Sequence, residues 1–201
     1  MKPIVLLLLL AFLGSAVGCE PQPSQMARLS MESLGLVIEA DAPDLEPVVE
    51  SYIQNKLPKV KIIGSQAIWG RLEEGSADSK CLCLLESRKN LSRLKEELGI
   101  QYLAVISIKA EESPRHSTSI TVGTDKTEVR LSQYLKVDLE YMVIDTSSGE
   151  KVFTGQAAGR SSDVADFKVG TEGTSVGIQL TRERSLLREA VRNALRETGL
   201  F

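Results

Sequence analysis

Histidine is almost missing from this chain of 201 residues: His116 is the only one. That argues against histidine-based metal centres and nucleophile–histidine triads from the outset. Charge of one sign is missing too. A formal net charge of −3 supplies no electrostatic footprint for nucleic acid. No Gly-x-Ser-x-Gly elbow, no phosphate loop and no acid–base cluster beside a histidine occurs. The chain is therefore expected to be non-enzymatic, without cofactor or metal. "GTEGTSVG" (170–177) is glycine-containing but has no strand-to-helix step around it, so a hairpin turn explains it. The acidic pairs Glu73–Glu74 and Glu111–Glu112 read as solvated ends. Cysteine is scarce. In "KCLCLL", Cys81 and Cys83 would point to opposite faces of a strand, where a mutual disulfide is strained. No second pair completes a zinc tetrad, and burial as small apolar side chains is expected.

Long hydrophobic runs are lacking as well. The apolar stretch over 4–13 is too short for an easy helical bilayer crossing of about 20 residues. It follows Lys2 and leads through small residues into Cys19, which is the layout of a secretory signal. "AVGC" resembles the bacterial lipoprotein box, in which the cysteine is acylated (palmitate among the chains) and becomes the new N-terminus. Ala16 stands where a leucine is usual. The alternative is ordinary cleavage near Gly18. Glu20, rather than aspartate, after the cysteine points toward the outer membrane over the inner one. Residues 19–32, containing "EPQPSQMARLSME", lack apolar periodicity and read as a tether to a single domain over 33–201.

Within that domain, "LGLVIEA" (34–40) and "VKIIG" (60–64) read as buried strands. Between them, "DLEPVVESYIQNKL" (44–57) sets Leu45, Val48, Val49, Tyr52, Ile53 and Leu57 on one helical stripe. "SQAIWGRLEEG" (65–75) reads as a helix begun at Ser65 and stopped at Gly75. "RKNLSRLKEELG" (88–99) is a helix ended by Gly99. "QYLAVISIKA" (101–110) is an internal strand. In "YLKVDLEYMVID" (134–145), Leu135, Val137, Leu139, Tyr141 and Val143 oppose Lys136, Asp138 and Glu140. "TSSGE" then turns the chain into "KVFTGQA". A last helix, 181–199, carries Leu187, Ala190, Val191, Ala194 and Leu195 inward. The order β-α-β-α-α-β-β-β-α predicts an α/β fold: one mixed sheet with helices packed on it.

A helix ending in "ELG", then "IQYLAVISI", an insertion, and "LKVDLEYMVIDTSSGEKVFTGQ" resembles a superfamily of bacterial envelope lipoproteins. It includes the curli secretion-channel lipoprotein (CsgG) and the lipoprotein activators of penicillin-binding proteins (LpoB), with a domain similar to the N-terminal domain of TolB. The most specific piece is 145–150, with Gly149 and Glu150 at the turn. The curli-channel branch is resembled most. That resemblance implies an outer-membrane, periplasm-facing lipoprotein that self-associates for secretion or curli-like assembly, with an envelope protein or secreted substrate as partner.

Two insertions remain. In the first, Thr118, Ile120 and Val122 share a face opposite Ser117, Ser119 and Thr121. In its second arm Val129 and Leu131 oppose Glu128 and Arg130. In the second insertion (163–182), Ala165, Phe167 and Val169 oppose Asp166 and Lys168, while Val176, Ile178 and Leu180 oppose Gly177 and Gln179. Two ribbons with one apolar and one polar face are thus expected. A multi-subunit barrel would put the apolar faces to lipid and Glu128, Arg130, Asp166 and Lys168 to an aqueous passage. Against it stand short alternation and few flanking aromatics, Tyr134 and Phe167 being the nearest. The alternative is a soluble pair of ribbons on a regulator that docks on a peptidoglycan synthase or another envelope machine.

Overall fold

The computed structural model describes residues 24–72, 82–111, 114–124, 126–170, 173–176 and 183–201. The expected α/β order is found, in one seven-stranded mixed sheet. Strands β1 (Ser33–Ala40), β2 (Lys61–Ile63) and β3 (Tyr102–Ala110) are parallel, with β1 between the other two. Across β3 lies β5 (Lys126–Asp145), antiparallel, and beyond it β6 (Lys151–Gly170). β4 (Arg115–Val122) pairs with β5, and β7 (Gly173–Val176) pairs with β6.

Helices α1 (Glu46–Lys56) and α4 (Glu183–Glu197) cover one face of the sheet. The odd-numbered residues of β5 make that face apolar: Leu135, Val137, Leu139 and Val143 are all buried against Ala190, Val191, Ala194 and Leu195. Leu186, which the helical pattern did not single out, is buried as well, whereas Leu187 is half-buried. Helices α2 (Ser65–Leu72) and α3 (Arg88–Leu98) cover the opposite face, setting Trp69, Leu91 and Leu94 on Leu103, Val105 and Ile144. Gly99 ends α3 in the left-handed region at φ 69°, and its N–H donates to the Lys95 carbonyl at 3.0 Å. Ser65 does not cap α2. Its hydroxyl accepts from Ile38 N–H (3.2 Å) and donates to Leu36 O (3.3 Å), serving β1 where the short β2 no longer reaches.

Three expectations are corrected. Residues 24–32 belong to the stretch read as a tether, yet Met26 is fully buried with Leu200 and Phe201. Gln25 N–H and Met26 N–H donate to Gly199 O and Leu200 O, at 3.3 and 2.9 Å. A lone methionine in a polar stretch has no periodicity to announce it; only the groove beside the chain's C-terminus shows why it is there. Cys83 sits on a 3-10 turn (Leu82–Glu86), not a strand, and is exposed and disulfide-bonded instead of buried. Glu111 is not a solvated end: it is half-buried and pairs with Arg115 at 2.7 Å. Cys19, Glu73, Glu74, Gly75, Cys81 and Glu112 lie outside the described residues.

α4 approaches β6 so closely that the strand presents small residues to it. A Cβ at Gly159 would overlap the Ala190 carbonyl and the Ala194 amide, which are backbone atoms and cannot swing aside. Gly159→Ala is therefore expected to destabilise the protein by about 1–3 kcal/mol. Gly70, on the exposed side of α2 with nothing within 4 Å of an added Cβ, is the control: Gly70→Ala should stabilise by about 0.5–1 kcal/mol. Denaturant midpoints of the two variants check both signs.

Candidate functional site

β5 and β6 each run 20 residues, well beyond the helices that cover them. At about 3.4 Å per residue each spans on the order of 65 Å. Their register is unbroken from Lys126↔Gly170 to Val143↔Phe153. The ribbons predicted from the insertions are therefore not separate. β4 joins the free half of β5 (Arg115↔Tyr134 to Val122↔Thr127), and β7 joins the far end of β6 (Phe167↔Val176 to Gly170↔Gly173). The result is one antiparallel ribbon in the order β4-β5-β6-β7, continuous with the domain sheet. Of the glycines of "GTEGTSVG", Gly170 and Gly173 pair where β6 meets β7 antiparallel.

Register converts the sequence pattern into rows. One face carries Thr118–Leu131–Ala165, then Ile120–Val129–Phe167–Val176, then Val122–Thr127–Val169–Thr174. The other carries Ser119–Arg130–Asp166 and Thr121–Glu128–Lys168–Ser175. Arg130 is thus in register with Asp166, and Glu128 with Lys168. The apolar face is exposed at its β4 edge, where Ile120 and Val122 are 64% and 76% accessible. Val129 and Leu131 are half-buried and Ala165 is buried. All eight residues of β4 are exposed. Among the described strands β4 pairs only with β5, and β7 only with β6, leaving two open edges. Gly177, Ile178, Gln179 and Leu180 lie outside the described residues.

Sequence reasoning missed what separates ribbon from core. On the apolar side, between the Leu135 row and the Leu131 row, stands His116–Gln133–Asp163. Gln133 is buried there, and the Asp163 carboxylate accepts from Val164 N–H at 2.8 Å. The signal was a glutamine in the apolar phase of β5, between Leu131 and Leu135. Just below, Ser161 donates to Glu189 at 2.9 Å and Asn193 donates to the Arg160 carbonyl at 2.8 Å, which docks α4 at the ribbon's root.

On the polar side of the root, Glu111, Arg115, Tyr134, Lys136, Arg160 and Ser162 line a hollow of about 640 Å³. A hydrogen bond with Tyr134, and then the charge of Glu111, push the Arg115 pKa above its already basic value, so it is a permanent cation. Lys136 pairs with Asp138 at 2.7 Å.

The turn at 145–150 is structural. Gly149 has φ 75° and donates to the Asp145 carbonyl at 2.7 Å. Asp145 Oδ1 accepts from Ser147 N–H and Ser148 N–H, and Ser148 Oγ accepts from Glu150 N–H at 3.2 Å. Thr146 Oγ1 donates to Ile100 O at 2.6 Å, tying the turn to the entry of β3. Among the described residues no helix is long and apolar enough to cross a membrane, a statement that does not extend to strands.

No protein-family model and no curated protein matches this sequence. Among solved structures, the chain is similar to several bacterial proteins, lipoproteins among them. Lipoprotein GNA1162 from Neisseria meningitidis matches with a TM-score of 0.41 and 12% identity, over 83% of this chain and 98% of that one. The LpoB C-terminal domain from Salmonella enterica matches at 0.35 and 13%, over 67% and 87%. The PelC dodecamer from Paraburkholderia phytofirmans matches at 0.33 and 14%, over 82% and 84%. All three scores fall below 0.5, and the likeness carries no functional weight.

If the exposed apolar residues of the ribbon are not part of the folding core, Ile120→Thr with Val122→Thr should change stability by less than about 0.5 kcal/mol. Leu135→Ala, one polar row lower, should cost about 2–5 kcal/mol. Thermal denaturation of the two variants of the full chain separates surface from core.

Proposed function

We propose that this is a lipid-anchored, non-enzymatic envelope protein whose copies assemble into a ring, their ribbons joining edge to edge into a common β-wall at the outer membrane. Its role is secretion or assembly, and its mechanism is passive. The observation that carries this reading is the ribbon itself: four paired strands projecting past the helical cover, apolar on one side and charged on the other. Over 126–134 and 162–170 the pairing is as long as the about 9–11 residues a spanning strand requires. A membrane would cover Ile120 and Val122, and burial of such side chains is worth about 1.5–3 kcal/mol each. The open edges of β4 and β7 cannot be left bare in lipid, since every backbone N–H and C=O there must find a partner. One chain cannot close four strands into a barrel; β4 of one copy meeting β7 of the next satisfies both edges and closes a ring.

With the chain docked from Gln25 onward, the covalent path from Cys19 to Ser24 extends about 17 Å at most, so the domain is held against the membrane surface. A second reading has one observation in its favour. α4 runs from Ser161 and Asp44 at the ribbon's root to Gly199, where Gln25 docks, so the anchored end lies away from the ribbon. In that arrangement the ribbon serves as an arm that reaches a periplasmic partner, as a regulator would.

Extraction and sizing separate the two. The ring reading expects a large oligomer that requires detergent, with membrane association weakened by Cys19→Ala. A water-soluble monomer after removal of the acyl chains would overturn it. Ile120→Asp with Val122→Asp should leave the domain folded by circular dichroism yet abolish conductance in planar bilayers, because two carboxylates would face lipid.

A further inference from the structure

The polar hollow at the ribbon's root is not used by the assembly reading, and its charge arrangement is unusual. Strand register places Lys136 directly opposite Arg160, and like charges so placed disfavour a sheet. The next row adds Arg115 beside Tyr134 and Ser162. Neighbouring acids offset two of these cations: Glu111 takes Arg115 at 2.7 Å, and Asp138 takes Lys136 at 2.7 Å. Arg160 has no acid partner among the described residues. Its carbonyl is held by Asn193 and its guanidinium is exposed. A planar fork of N–H donors, flanked by an ammonium and by Tyr134 and Ser162 hydroxyls in a hollow of about 640 Å³, matches an oxyanion.

We propose that this hollow is an anion-binding site centred on Arg160, and that in the assembled ring its copies form a collar that selects passengers bearing phosphate groups. The ring part rests on the proposed function; the site itself does not.

The test is titration calorimetry of inorganic tripolyphosphate into the detergent-purified full chain at low ionic strength, because partly exposed cations are screened within about 10 Å at 0.1 M salt. Arg160→Gln should weaken binding about tenfold, the loss expected for one charge-assisted hydrogen bond, with Arg160→Lys restoring part of it. Lys59→Gln, an exposed lysine away from the hollow, should leave the affinity unchanged. Equal losses in Arg160→Gln and Lys59→Gln would mean diffuse charge attraction and would overturn the site, as would no change in Arg160→Gln. Bilayer recordings keep the two ideas apart. If the wild type conducts, Arg160→Gln should shift the reversal potential toward cation selectivity. If it never conducts but Arg160→Gln still loses tripolyphosphate, the ring falls and the site stands.

Discussion

The ladder between β5 and β6 is the constraint on which the rest of the molecule depends. Because strand side chains alternate strictly, an uninterrupted register carries one identity along each face. The odd residues of β5 that pack on α1 and α4 in the domain continue as the odd residues of the ribbon, where α4 no longer covers them. The apolar surface of the ribbon is thus the core face of the domain prolonged past its cover. A single-residue slip would turn Leu135, Val137 and Leu139 into solvent and bring Lys136 and Asp138 into the core. The buried half therefore holds the exposed half in register.

Where the cover stops is decided by side-chain size and polarity. β6 offers Gly155, Ala157, Gly159 and Ser161 to the helix side; the α4 backbone comes into contact at Gly159, while the Tyr141 ring lies against Gly155. Above Ser161 come Asp163 and Gln133 in one polar row, which ends the core before the apolar rows of the ribbon begin. The same root gathers Arg115, Lys136 and Arg160 on the opposite face. The narrow band between domain and ribbon is consequently polar on both sides, while beyond it Val129 and Leu131 lie on one face of β5 and Glu128 and Arg130 on the other.

These features bear on function together. An exposed amphipathic sheet with two open edges is a liability for an isolated soluble chain and a joining element for an assembly. The docked Met26 segment sets how far the domain can stand from an anchor at Cys19. Chemistry in the enzymatic sense has no part in this reading, which rests on edges, faces and position.

Much of the fold was legible in the residues, because helical stripes and strand alternation are local. α1 announced itself through Val49 and Ile53, β5 through Leu135 to Val143, and the turn through Gly149. The two faces of each inserted arm were equally legible. What could not be read locally was partnership. The burial of Met26 depends on a groove made by Leu200 and Phe201, nearly the whole chain away. The merging of two insertions into one ribbon depends on β5 and β6 staying in register from Lys126↔Gly170 to Val143↔Phe153. The meeting of Arg160 with Lys136 and Arg115 depends on three strands that the sequence keeps apart. Alternation and turn chemistry, being properties of neighbouring residues, were determined by the sequence alone. Which faces become core, ribbon or charged hollow was decided only in the tertiary structure, because burial and cross-strand pairing are relations between distant segments.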